Sequence, residues 1–193
     1  MPQPQLILGS SSTYRRQLLE KLRLNFTQVS PSIDEAPRHG EPANQLCSRL
    51  AHAKARALIT QHPNCIIITS DQAAAVSGQI LGKPYTRDNA IKQLEECSGK
   101  TVTFYTAVCV YDGKNQLHED MDTFEVEFRQ LTQLQIENYI DEESPLDCAG
   151  SFKSEGLGIA LFKQLRGTDP NTLIGLPLIK LVDLLAKAGI NIL

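Results

Sequence analysis

Residues Leu6–Arg16 read LILGSSSTYRR: an aliphatic triplet, three consecutive serines, then two adjacent arginines. Leu6–Leu8 is too short an apolar run for a buried helix and suits a buried strand, while Tyr14–Leu24 carries Leu18, Leu19 and Leu22 at helical spacing. The serines then form a strand-to-helix turn. Hydroxyls and backbone N–H groups in such a turn, followed by guanidinium groups at the head of a helix, suit a phosphate, and a chain of phosphates better still.

Outward from this βα unit the pattern repeats with variations. A proline-rich loop, SPSIDEAPRHGEPAN, precedes a helix from about Ala43 to Thr60, in which Leu46, Leu50, Ala53 and Ala57 repeat at helical spacing and Lys54 lies beside the stripe. Cys65–Thr69 is a β-branched run expected as a buried strand with Asp71 just past its end. A hairpin turning at Ser77-Gly78 follows, then a helix over Asn89–Cys97 introduced by Thr86 and closed near Gly99. The strand begun by TVTFYTAV pairs with TFEVEFRQL, whose alternation suggests one solvated face. A helix over Gln133–Glu142, a loop SPLDCAGSFKSEGLG, a strand GIALFKQL and a helix Leu176–Ala188 ended by Gly189 complete the chain. Strands that alternate with helices, interspersed with adjacent strands, predict an α/β fold with a mixed central sheet flanked by helices.

Composition narrows the function. The chain has 193 residues, 41% hydrophobic and 21% charged, which suits a single globular domain spanning 1–193. A net charge of −3 with scattered Lys and Arg lacks the footprint of a nucleic-acid binder. No apolar run approaches a membrane span, and no positive segment precedes a signal-type stretch, so no membrane partner and a cytoplasmic location are expected. The five cysteines form no CxxC pair and read as reduced, mostly core-filling residues.

Two familiar phosphate fingerprints fail. GQILGKP is one residue short between its glycines for a P-loop and has Pro84 where Ser or Thr binds the cation; EGLGIAL has Leu161 at the third glycine of a dinucleotide motif. Taken singly, Ser12 or Thr13 reads as a helix cap, Asp71 as a turn carboxylate, Glu35 and Asp34 as loop solvators, and Lys54 and Lys83 as surface charges. The four histidines share no ligand spacing and receive no role. As a set the residues say more. Metal-dependent attack on a phosphoanhydride requires carboxylates to hold a cation and orient water, which Asp71 and Glu35 can supply. It also requires cations on the phosphate oxygens, which Arg15, Arg16, Lys54 and Lys83 can supply.

With these residues in view the sequence resembles the Maf family of nucleoside triphosphate pyrophosphatases. The resemblance rests on LILGSSSTYRR, SPSIDE, AHAKA, IITSDQ, LGKP, VTFYTAV, DCAGSFKSEG and LIGLPL, and runs nearly end to end. It implies a fold of the inosine-triphosphatase type with two lobes around a cleft, a homodimer, and hydrolysis of a small-molecule nucleotide between its α- and β-phosphates. It implies Asp71 as general base, with Ser10, Ser12, Arg16, Lys54 and Lys83 lining the phosphate site. Glu35 would help Asp71 hold a divalent cation, Mg2+ or Mn2+. The commoner family pattern has Pro where Thr13 stands here and AGAYGIQG where this chain has AGSFKSEG. Those departures resemble the branch associated with 7-methyl-GTP rather than dTTP and UTP; Tyr14 and Glu155, together with Gln72, are the candidates for base selection. A dTTP/UTP pyrophosphatase and a non-catalytic nucleotide-binding regulator of cell division are the competing readings.

Overall fold

The structure is a computed structural model that describes residues 5–193; the expectation about the N-terminus therefore rests partly on residues 1–4, outside those described. In chain order the elements are β1 (Leu6–Gly9), α1 (Thr13–Glu20), β2 (Thr27–Val29), α2 (Ala43–Ile59), β3 (Ile66–Val76), β4 (Gln79–Leu81), α3 (Arg87–Cys97), β5 (Thr101–Tyr111), β6 (Leu117–Phe128), α4 (Gln133–Glu143), β7 (Phe162–Gly167), α5 (Pro170–Ile174) and α6 (Leu178–Lys187). The strands form one mixed sheet in the order β2-β1-β3-β5-β6-β7, with β4 paired to β3. β1 runs parallel to β2 and β3, whereas β3–β4 and β6–β7 are antiparallel.

The chain divides into two compact units, residues 1–72, 106–122 and 169–193 in the first, and 73–105 and 123–168 in the second. β3, β5 and β6 each continue from one unit into the other.

In the first unit the period-two alternation of β1 decides the layers. Leu6 and Leu8 join Ile66, Ile68, Val108 and Val110 in a core covered by Leu18 and Leu19 of α1 and Leu181, Leu184 and Leu185 of α6. Ile7 and Ile67 face the other way and meet Leu58 of α2. Gly9 lets α2 approach this closely, because a Cβ there would lie 2.6 Å from the Leu58 side chain and 2.7 Å from that of Thr69. The second unit has an aromatic core, Phe104, Phe128, Phe152 and Phe162, whose rings meet edge to face with centroids 4.9–5.5 Å apart.

Several boundaries differ from the sequence-based expectations. β3 does not stop before Asp71 but runs on to Val76, because Ala74–Val76 pair with β4 and the polar residues 70–72 find partners without breaking the strand. α1 ends at Glu20 rather than Leu24, closing in a turn with Arg23 at positive φ. Leu157–Leu161 form a short 3-10 helix, so β7 starts only at Phe162. The C-terminal helix begins at Leu178, and α5 and β2 have no counterpart in the expectations. The hairpin at Ser77-Gly78 forms as expected, both residues having positive φ, as does the Thr86-capped helix α3.

Candidate active site

The serine turn is assembled from its own hydroxyls. Ser10 is buried, and its Oγ accepts from the Ser12 N–H at 3.1 Å, while the Ser12 side chain caps α1 by accepting from the Arg15 N–H at 3.3 Å. Gln28 of β2 closes the turn from outside, donating to the carbonyls of Ser10 at 2.8 Å and Ser12 at 3.1 Å. The turn is thus held rigid at the positive end of an eight-residue helix.

The two arginines part company at this point. Arg15 is half-buried, and its Nε donates to the Gly175 carbonyl at 2.8 Å. Burial pulls its pKa below the ordinary guanidinium value, and the charges of Asp71 and Glu35 oppose that pull. Arg16 lies on the exposed face of α1, paired with Glu20 one turn on at 3.0 Å.

Asp71 sits within β3 and is only 7% exposed. Its carboxylate pairs with the ammonium of Lys54, a buried residue of α2. The same ammonium meets Glu35 of the preceding loop at 2.9 Å, so two carboxylates converge on one cation. Desolvation raises the Asp71 pKa above the ordinary carboxylate value, Lys54 and Arg15 pull it back, and Glu35 adds to the rise. The loop that carries Glu35 is braced by Arg49 of α2, which grips Glu41 through two hydrogen bonds of 2.6 and 2.7 Å and donates to the Ala36 carbonyl at 3.1 Å. Asp34 stays out of the cluster, capping its own turn through the Ala36 N–H.

The other expected residues are placed differently. Gln72 spends its amide N–H groups on Thr106 Oγ1 at 3.0 Å and the Thr172 carbonyl at 2.7 Å, which ties β3 and β5 to α5. Tyr14 is half-buried in the first turn of α1. In the second unit Lys83 is exposed just beyond β4, and Glu155 is exposed with Ser154 Oγ donating to it at 3.2 Å. Lys153 anchors their loop, its ammonium donating to the Glu143 carbonyl at 2.9 Å and its N–H to Tyr139 Oη at 3.0 Å.

Sequence reasoning missed Gln28 and Ser70. Ser70 Oγ lies 2.7 Å from the Ala107 carbonyl and 3.0 Å from that of Gly175, the same carbonyl that holds Arg15. Nothing in their spacing to the serine turn announces either contact. Of the cysteines, Cys47, Cys97 and Cys109 are buried and Cys65 and Cys148 partly so, and burial pushes the Cys47 and Cys97 thiols up to about 12.

In chemical terms the first unit presents a buried carboxylate with a raised pKa, the two cations Lys54 and Arg15, and a hydroxyl-lined helix N-terminus. The family described as Maf-like protein matches residues 5–188, and the chain belongs to that family. Its relatives include the 7-methyl-GTP pyrophosphatase of Idiomarina loihiensis, 56% identical over 96% of this chain and 96% of that one. The 7-methyl-GTP pyrophosphatase of Alcanivorax borkumensis is 54% identical over 98% of this chain and 96% of its own. Among solved structures, a HAM1 protein from Coxiella burnetii aligns with a TM-score of 0.45 at 13% identity, over 66% of this chain and 74% of that one.

Proposed function

We propose that the chain hydrolyses 7-methyl-GTP between its α- and β-phosphates, releasing 7-methyl-GMP and pyrophosphate. The observation that carries the reading is the buried Asp71 carboxylate facing Lys54, with Glu35 on the same ammonium and Arg15 in the field of both. The relatives so named, alike over nearly full length, support the substrate.

In this reading Asp71 accepts a proton from water as the water oxygen bonds to phosphorus. The electron pair of the broken P–O bond leaves with pyrophosphate. Arg15 and Lys54 offset the charge that grows on the leaving group, and Ser10, Ser12 and the α1 N–H groups receive phosphate oxygens. Lys83 and Arg16 are assigned to the phosphates by family likeness. The donor set fits a hard divalent cation: Asp71 and Glu35 offer carboxylate oxygens that converge on one positive group, Lys54. Asp71 and Glu35 would hold Mg2+ or Mn2+, which when bound supplies charge neutralisation at the phosphate oxygens.

Selection of the base falls to Glu155 and Tyr14. Guanine presents two donors on one edge, which a carboxylate accepts as a pair, and methylation at N7 adds a positive charge that an aromatic face attracts by ~0.5–2 kcal/mol. The reading extends to a homodimer acting in the cytoplasm, which sedimentation and fractionation would test. The central test is pyrophosphate release with Mg2+ or Mn2+ across 7-methyl-GTP, GTP, dTTP and UTP at equal concentration. The expected order runs from 7-methyl-GTP through GTP to the pyrimidines. Faster hydrolysis of dTTP or UTP overturns the substrate, and no release from any nucleotide overturns the activity.

A further inference from the structure

Two residues before Lys54, and outside the cluster just described, α2 carries His52. Its Nε2 pairs with a carboxylate oxygen of Glu119 on β6. The thiol of Cys109 on β5 lies beside them, and one ligand atom from each of the three side chains falls within 4.8 Å of the others. Among the described residues no other group of three histidine, cysteine or acidic side chains is drawn together in this way. Cys109 and Glu119 lie on the two strands of the β5–β6 hairpin, closed by a turn in which the Asp112 N–H donates to the Gln116 carbonyl, and His52 joins them from α2, a separate element distant in sequence.

We propose that His52, Cys109 and Glu119 form a second metal site, selective for a Zn2+-like cation and separate from the carboxylates at Asp71. One imidazole nitrogen, one thiolate and one carboxylate oxygen are three of the four ligands of a tetrahedral zinc centre with an open position. The mixed N, S and O set favours zinc or cobalt over the magnesium and manganese that all-oxygen ligands take. Metal–ligand bonds of about 2.0–2.3 Å put tetrahedral ligands about 3–4 Å apart, so closing the cluster on an ion takes shifts of about 1 Å. The charges also match, since one thiolate and one carboxylate balance a dication.

The surroundings grade from dry to wet in the way such a site needs. Cys109 is 1% exposed, whereas the side chains of His52 and Glu119 are 30% and 53% exposed. His52 and Glu119 also line an open pocket of about 490 Å³ with Arg38, Ser48, Arg49, Ala53 and Arg56. An ion can therefore enter from the pocket, and its open position would face arginines suited to an anionic fourth ligand. Without metal the Cys109 thiol is pushed up to about 12 by burial and by the nearby Glu119 charge, so a bound cation must displace its proton. Occupancy would tie α2 to β5 and β6 within the first unit.

The test is cobalt and zinc titration of the metal-free full-length protein in an Asp71→Asn, Glu35→Gln background, which removes the oxygen site. One equivalent of Co2+ is expected to produce a thiolate-to-cobalt absorption in the near ultraviolet that one equivalent of Zn2+ displaces, together with a rise in melting temperature. Cys109→Ser should abolish the absorption, Glu119→Gln, a change at an exposed side chain, should weaken binding at least tenfold, and Cys47→Ser should leave both intact. The proposal is overturned if no such absorption appears, if it survives Cys109→Ser, or if Cys47→Ser removes it. None of these readings depends on nucleotide hydrolysis.

Discussion

Lys54 and Lys83 are both lysines that family likeness assigns to phosphate, and the two units of the chain treat them differently. In the first unit Lys54 is buried, with its ammonium shared between Asp71 and Glu35, and Arg15 beside it is pinned to a main-chain carbonyl. In the second unit Lys83 and Glu155 are exposed. The buried charges carry a desolvation cost and in return are held in fixed orientation by their partners, which suits the proposed role of stabilising charge that develops during reaction. The exposed charges stay hydrated and adaptable, and an exposed carboxylate such as Glu155 fits discrimination between related bases better than bond cleavage. On the proposed reading, substitutions at Asp71, Lys54 and Arg15 should therefore act on rate, and substitutions at Glu155 on choice of substrate.

The largest effect expected is at Asp71. Asp71→Asn keeps the shape and removes the base, so turnover should drop by ~10²-fold or more in a protein that still folds; near-normal turnover would transfer the role to Glu35. The pH profile sharpens the same point. A raised Asp71 pKa means kcat/KM should fall as pH drops through a value above the ordinary carboxylate pKa of about 3.9, and that limb should vanish in Asp71→Asn. Stability takes the opposite sign: the folded chain binds this proton more tightly than the unfolded one, so Asp71's contribution falls as pH rises from the ordinary carboxylate range through the raised value. Urea denaturation of both proteins across that range would show a slope in one and its loss in the other.

Next in size is Arg15→Ala, expected to cost ~10–100-fold in kcat/KM for every nucleotide alike, the worth of a lost charge-assisted bond of about 1.5–3 kcal/mol. A change in base preference instead would break the division between the units. Glu155→Gln should leave pyrophosphate release from UTP within about twofold while lowering the preference for guanine nucleotides about tenfold, the low end for the loss of one hydrogen bond to a charged acceptor at an exposed side chain. Arg16→Ala should have the smallest effect, a few-fold at most in nucleotide affinity, since its side chain is exposed and already paired with Glu20. A loss as large as that of Arg15→Ala would make the two arginines equal partners.

Most strands and helices could be read because the helices bury one apolar face at helical spacing, while β1 and β3, buried on both faces, show as short continuous apolar runs. Lys54 and Asp71, each ordinary alone, stand out in the sequence only as members of a set of charges and hydroxyls, and the structure places the two in one ion pair. What periodicity could not supply was the end of β3, where Ser70, Asp71 and Gln72 look like a strand terminus. They stay in the strand because partners distant in sequence, Ala107, Lys54 and Thr172, satisfy them. α5 was hidden for a related reason: its five residues are too few for a helical repeat, and Asp169 secures it by accepting from the N–H groups of Asn171 and Ile179 at 2.8 Å each. His52 looked isolated because its neighbours lie on two other elements.

Gly175 bears on how such a chain can drift through mutation. Its carbonyl accepts from both Arg15 and Ser70, a service any residue's main chain could render, so no particular side chain is under selection for it. Its φ of +118°, however, is one that L side chains rarely adopt, and a Cβ there would stand 3.4 Å from Arg15 Nε. Arg15 thus depends on a position where chemistry imposes nothing and backbone shape leaves almost no freedom. A variant at Gly175 would disturb the seat of Arg15 from 160 residues away in sequence without touching one charged group.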